Sequence, residues 1–270
     1  MTNPTLTTFA AQLDLLVTHA NLPDGRRDVD IAVRGGRIAE VSPGIAQRGA
    51  SARETIDAAG QLVCPPFVDA HFHLDAALSY GLPRVNQSGT LLEGIALWGE
   101  LKPTLAQDAI IGRALAYCDW AVANGLLAIR THVDTCDPRL LAVEALAPYL
   151  DLQLVAFPQD GVLRYDPRAD DPACTDTAFG LLCKALDLGV DVVGGIPHFE
   201  PTMQAGAESV RLLCEEAERR GLRVDMHCDE TDDPMSRHIE TLAFETRRLG
   251  LGGRVNGSHL TSMHSMDNYY

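Results

Sequence analysis

The stretch PPFVDAHFHLD, residues 65–75, decides how the rest of the chain reads. It closes an apolar strand-like run, Leu62–His71, and carries His71, His73 and Asp75 at its end. Residues two apart on an extended strand project to the same face, so His71 and His73 can reach one ion together. Further strand-like runs follow at Leu126–Val133, Leu152–Phe157, Val190–Ile196, Arg223–His227 and Arg254–Ser258. Between them, apolar residues recur at helical spacing over Leu105–Ala123, Thr175–Leu188, Ala207–Arg220 and Pro234–Leu249. Continuous apolar strands alternating with helices predict parallel strands covered on both faces.

An open doubly wound sheet and a (β/α)8 barrel both fit that rhythm. The strand ends separate them. The later runs finish in His132–Val133–Asp134, Gln159–Asp160, His198–Phe199–Glu200, His227–Cys228–Asp229–Glu230 and His259. Ionisable groups at six strand ends would be desolvated for no return in a plain core. In a barrel they all face one mouth, where an active site is built. The fold class expected is therefore α/β, a TIM-type barrel. No GxGxxG or GxxxxGK[ST] loop follows any strand, so nucleotide phosphate binding has no support.

An HxH pair alone is weak evidence for a metal. His227 and His259 on later strands strengthen it, since three or four imidazoles with an open position suit Zn or Fe. Glu230, three residues beyond His227, is placed to take a proton from a metal-activated water and return it to a substrate nitrogen. Its alternative role is that of a polar neighbour at a helix start, ahead of Pro234. His132 and His198 read as supports behind the ligands or as substrate-facing groups, with His264 near the same mouth. His19 and His238 read as surface residues.

Seven blocks together make the chain resemble the metal-dependent cytosine deaminases of the amidohydrolase superfamily. They are PPFVDAHFHLD (65–75), NQSGTLLEGI (86–95), RTHVD (130–134), DLQLVAFPQDG (151–161), VVGGIPHFE (192–200), HCDETDD (227–233) and SH with the following MHS (258–265). FPQ together with HCDE is the more specific pair; HxH is shared widely. The resemblance implies that His71, His73 and His227 hold one divalent metal ion, Fe(2+) or Zn(2+). It makes Glu230 the proton shuttle and His259 the residue that orients and polarises the attacking hydroxide. Gln159 would hydrogen-bond the amide edge of a nucleobase-like small molecule, because a carboxamide both donates and accepts. The implied reaction is hydrolytic deamination of cytosine or a related aminopyrimidine. Strand four reads DVVGGIPH and has no Lys, which favours the mononuclear branch over the carbamylated-Lys enzymes.

Two departures qualify the likeness. The segment DAALSYGLPRV after the first strand varies among relatives and leaves isocytosine or a triazine open as substrate. The family barrel also has eight strands and takes an Asp ligand from the last. Residues 62–270, at roughly 35 residues per βα unit, hold about six units. The chain is therefore expected to be C-terminally truncated, with 1–61 forming the N-terminal part of a small β-sandwich and 62–270 an incomplete barrel. A non-catalytic remnant is the competing reading.

Composition agrees with a soluble globular chain: 270 residues, 46% hydrophobic and 22% charged. Lys and Arg number 22 against 37 Asp and Glu, a net charge of −15, which disfavours nucleic acid as a partner. No apolar run approaches the roughly 18 residues of a membrane span. The first twenty residues carry no Lys or Arg, so the basic start of a signal peptide is missing and a cytoplasmic location is expected. Seven scattered cysteines without a CxxC pair fit reduced thiols. The resemblance suggests a homo-oligomer. The early runs Leu13–Val17, Asp30–Val33 and Arg37–Val41, punctuated by glycines, predict a small antiparallel unit.

Overall fold

The computed structural model describes residues 12–147, 152–163 and 177–269. The chain divides into two compact units, Met1–Pro66 and Phe67–Tyr270.

In the first unit four strands, β1 (Leu13–Ala20), β2 (Val29–Arg34), β3 (Arg37–Ser42) and β4 (Ala52–Asp57), form one sheet in the order β3-β2-β1-β4. The β2–β3 hairpin turns on Gly35 and Gly36, both at positive φ (+58° and +70°), which a two-residue turn with primed geometry requires. The unit is not purely antiparallel, because β4 pairs parallel to β1. Its sequence ARETID, mostly exposed, lacks the apolar alternation that would mark it as a strand. Leu13, Leu16, Ala32 and Ile45 make one small core and Ala20, Val29, Ile31 and Ala58 another.

The second unit alternates strand and helix. Its strands are β5 (Phe67–Phe72), β6 (Leu126–Asp134), β7 (Gln153–Phe157), β8 (Val192–Gly195), β9 (Arg223–Cys228) and β10 (Val255–His259). Its helices are α1 (Leu91–Leu101), α2 (Gln107–Ala123), α3 (Leu141–Leu146), α4 (Ala178–Asp187), α5 (Met203–Arg220) and α6 (His238–Arg248). The six strands lie in sequential order and pair parallel throughout. This is a six-strand arc of a TIM-type α/β barrel. It curls until the edge strands meet at their C-terminal ends, where His71 Nδ1 on β5 lies 3.2 Å from Ser258 Oγ on β10.

The strands between the edges are buried on both faces: β7 and β8 hide every residue except Gln153. Burying side chains such as Leu182, Val193 and Leu213 contributes about 1.5–3 kcal/mol each. Gly194 leaves no room for a larger residue, since a Cβ there would run into the Ala156 carbonyl oxygen of the neighbouring strand. Thr90, Thr177 and Thr202 cap α1, α4 and α5 by accepting backbone N–H bonds from Glu93, Gly180 and Ala205. Pro65 and Pro66 hold the first barrel strand back to Phe67, and α6 begins at His238, beyond the turn that Pro234 opens. Residues 175–176 of the helix expected over 175–188 lie outside the described residues. Among the described residues, no helix is long and apolar enough to cross a membrane.

Candidate metal centre and base pocket

The parallel arrangement carries the strand ends to one mouth. His71, His73, His132 and His227 each present a ring nitrogen there, and these atoms lie within 4.8 Å of one another. His71 and His73 come from the end of β5, His132 from β6 and His227 from β9. His259, at the end of β10, sets its ring 4.7 Å from that of His71 and 4.8 Å from that of His227. Its Nδ1 stands 3.6 Å from Glu230 Oε1. Asp229 and His259 both take left-handed backbone conformations, φ +55° and +71°. Such conformations cost energy outside glycine and collect at working sites.

Hydrogen bonds fix which nitrogen of His71 and of His132 faces the centre. Ser258 Oγ donates to Asp225 Oδ1 at 2.7 Å, so toward His71 it can only accept. His71 Nδ1 therefore carries the proton and Nε2 is left with its lone pair. His132 Nδ1 donates to the Phe72 carbonyl at 3.3 Å, which frees its Nε2 in the same way. Asp225 is fully buried and also accepts from Arg130 Nη1 at 2.7 Å. Burial would raise its carboxyl, but His132, Ser258 and Arg130 outweigh that and hold it well below the carboxylate range.

Three of the imidazoles, His71, His73 and His227, are kept neutral. Burial, followed by the neighbouring His132 and His259, pushes His71 down to about 4. Burial and the surrounding histidines drive His73 and His227 further below the ordinary value. Neutral imidazole is the form that binds metal. His132 Nε2 and His227 Nδ1 are buried with no hydrogen-bond partner, a costly state in a protein interior. His73 Nε2 and His227 Nε2 stand 3.2 Å apart. Tetrahedral ligands about 2.1 Å from one ion would be roughly 3.4 Å apart, so the donor set fits a divalent metal.

Beside the imidazoles lies a cavity of about 260 Å³ lined by His73, Asp75, Leu91, Ile95, Trp98, Asp134, Phe157 and Gln159, among others. Gln159 and His73 thus share one chamber. Phe157 stacks on His227, centroids 4.1 Å apart. Asp75 is buried, and burial pushes it up to about 7 against the pull of its backbone N–H partners. Burial likewise raises the Glu230 carboxyl, with the His259 charge opposing.

His132, expected as a support or a substrate-facing group, has a ring nitrogen within 4.8 Å of those of His71, His73 and His227. His198 donates from Nδ1 to the His227 carbonyl at 3.0 Å and is pushed down to about 4, mainly by burial. His264 is exposed and outside the cluster. His19 is exposed as expected, but His238 is buried, because Asp229 Oδ1 accepts from its Nδ1 at 2.8 Å. Trp98 and Asp225 carried no signal in the sequence: a single Trp in a helix and an Asp inside a strand have none. Asp75 and Asp134 were visible only as strand-end carboxylates.

The profile of the amidohydrolase family matches residues 54–148 and 139–269. The chain belongs to the amidohydrolase family. Among solved amidohydrolases it is similar to 5-methylcytosine deaminase from Klebsiella pneumoniae, liganded with phosphonocytosine or with 5-fluorocytosine. The identities are 40% and 41% and the TM-scores 0.84 and 0.85; each match covers 94% of this chain and 61% of that one. It is 29% identical over 264 residues to N-isopropylammelide isopropyl amidohydrolase of Pseudomonas sp. (strain ADP), covering 93% of this chain and 62% of that protein. Pterin deaminase of Rhizobium rhizogenes is 27% identical over 254 residues, covering 90% and 54%. The chain therefore spans about 54–62% of the length of these relatives.

Proposed function

We propose that the protein hydrolytically deaminates cytosine or a closely related aminopyrimidine, giving the oxo-base and ammonia. The observation that carries this reading is the cavity that Gln159 shares with His73, whose lining includes the Trp98 and Phe157 side chains. Flat aromatic walls with one carboxamide suit a planar heterocycle bearing an amide edge. The similarity to two structures bound to cytosine analogues supports the same substrate class.

His71, His73 and His227 would hold one divalent ion, Fe(2+) or Zn(2+), with His132 Nε2 close enough to join them. That ion, when bound, supplies Lewis acidity and lowers the pKa of a water toward neutrality. Gln159 binds the ring by donating to its carbonyl and accepting from an N–H. Glu230 takes a proton from the attacking water and delivers it to the ring nitrogen beside the amine-bearing carbon. As the C–N bond breaks, the second water proton passes to the amine, ammonia leaves and the oxygen remains on the ring. A carboxyl raised by burial suits both directions of that transfer. His259, 3.6 Å from Glu230, is placed to orient the water oxygen.

The relative named for N-isopropylammelide favours a second reading, loss of an amine from an aminotriazine. A substrate panel separates the two. Cytosine, 5-methylcytosine, isocytosine and ammelide are scored for ammonia and for change in ring absorbance. Ammonia from the pyrimidines with an intact oxo-ring is expected. Turnover of ammelide alone would replace the first reading by the second, and metal binding without any turnover would leave a non-catalytic protein.

A further inference from the structure

Lys102 follows α1 directly, in the short 3-10 turn Lys102–Thr104, and its side chain is only 12% exposed. Its Nζ makes two ion pairs, 2.7 Å to Asp134 Oδ2 and 2.9 Å to Asp160 Oδ2. Each carboxylate leads to a different wall of the cavity beside His73. Asp134 Oδ2 also accepts from the Trp98 indole Nε1 at 2.7 Å, and its Oδ1 accepts from the Cys136 backbone N–H at 2.7 Å. Asp160 is the neighbour of Gln159. The far side of that loop is tied down separately: Glu200 Oε1 accepts from the backbone N–H groups of Val162 at 2.7 Å and Leu163 at 3.1 Å. Gly161, at φ +85°, passes so close to the Glu200 carboxylate that a Cβ would be crowded at 3.0 Å.

We propose that Lys102 is a positioning residue for the base pocket: through Asp134 it fixes the Trp98 indole, and through Asp160 it fixes the loop that carries Gln159. The inference rests on reading this cavity as the place where the base binds. Lys102 touches neither the metal ligands nor the cavity itself. It joins three segments far apart in sequence, the end of α1, the end of β6 and the loop after β7. The indole and the carboxamide, which both line the cavity, are then held in place relative to one another. Burial opposes the ammonium, but Asp134 and Asp160 outweigh it and keep the group charged at any pH the protein meets. Removing the ammonium would leave the buried Asp134 carboxylate without its counter-charge, a costly state that the side chain can relieve only by moving.

The chain has two tryptophans, Trp98 and the exposed Trp120, so a Trp120→Phe background isolates Trp98 emission. In that background Lys102→Met is expected to red-shift Trp98 emission and increase its quenching by acrylamide. It should also raise KM for the aminopyrimidine by on the order of tenfold or more, with metal stoichiometry unchanged and kcat within about threefold. Lys102→Arg, which can still span both carboxylates, is expected to restore emission and KM. Asp160→Asn, a milder change at a 45% exposed side chain, should raise KM without moving Trp98 emission. It keeps the test alive if Lys102→Met does not fold. If the parent protein releases ammonia from no base, the functional reading fails, while emission still decides the role of Lys102. An unchanged emission and quenching in Lys102→Met, or an unchanged KM in Asp160→Asn, overturns the proposal.

Discussion

His73 and His227 point their Nε2 atoms at each other across 3.2 Å, although 154 residues separate them in the chain. Two neutral imidazoles gain little from that approach by themselves: their lone pairs repel unless a proton or an ion lies between. The two rings are instead held there by their strands, and a divalent ion bound between them would resolve the conflict. Loading with Zn(II) or Fe(II) is therefore expected to raise the unfolding temperature, and chelation to lower it. Free metal at 100 times its dissociation constant would add about 2.7 kcal/mol. Calorimetry with and without chelator reads this directly, and a midpoint indifferent to metal would contradict the assignment.

Asp225 acts one step further out. It holds Ser258, which holds the His71 proton on Nδ1. Ser258→Ala, the smaller change, is expected to weaken metal affinity by about 10–100-fold, as loss of an orienting partner typically does. Competition against a chromophoric chelator gives the number. Affinity unchanged within error would mean that the chain Asp225–Ser258–His71 does not orient the ligand.

Metal-free protein should lose stability on mild acidification. His71 and His198 sit at about 4 when folded against an ordinary 6.5. Above 6.5 neither state binds the protons, so these groups contribute no pH dependence. Between about 6.5 and 4 the unfolded chain takes up protons that the folded chain refuses, and stability falls as pH falls. Below about 4 both states are protonated and this contribution levels off. Urea midpoints at pH 7.5, 6 and 5 test the sign, and bound metal should shift the decline to lower pH, since protons then compete with the ion.

Much of this was written in the residues. Apolar runs such as LQLVAF and VDVVGGI can be covered only by helices on both faces, and their polar endings select a barrel over an open sheet. The HxH spacing on β5 needs no tertiary information, because strand geometry alone puts both rings on one side. His132 was harder: only the curl of the arc brings a nitrogen of its ring near those of His71, His73 and His227. β4 could not be read, because a polar strand is recognisable only by the partner it pairs with. Trp98 was invisible for a similar reason. Its importance lies in the Asp134 carboxylate 2.7 Å from its Nε1, a contact between residues 36 apart that no local pattern announces.

Glu230→Gln keeps the size and the hydrogen-bonding shape of the side chain while removing its capacity to carry a proton. Ammonia release from cytosine and 5-methylcytosine by the metal-loaded protein and by this variant, with bound metal measured in both, tests the central claim most directly. The expected result is stoichiometric oxo-base and ammonia from the parent. The variant should retain its metal but turn over more slowly by about 10²–10⁴-fold. A fully metal-loaded parent that releases ammonia from no aminopyrimidine, or a variant as fast as the parent, would contradict it.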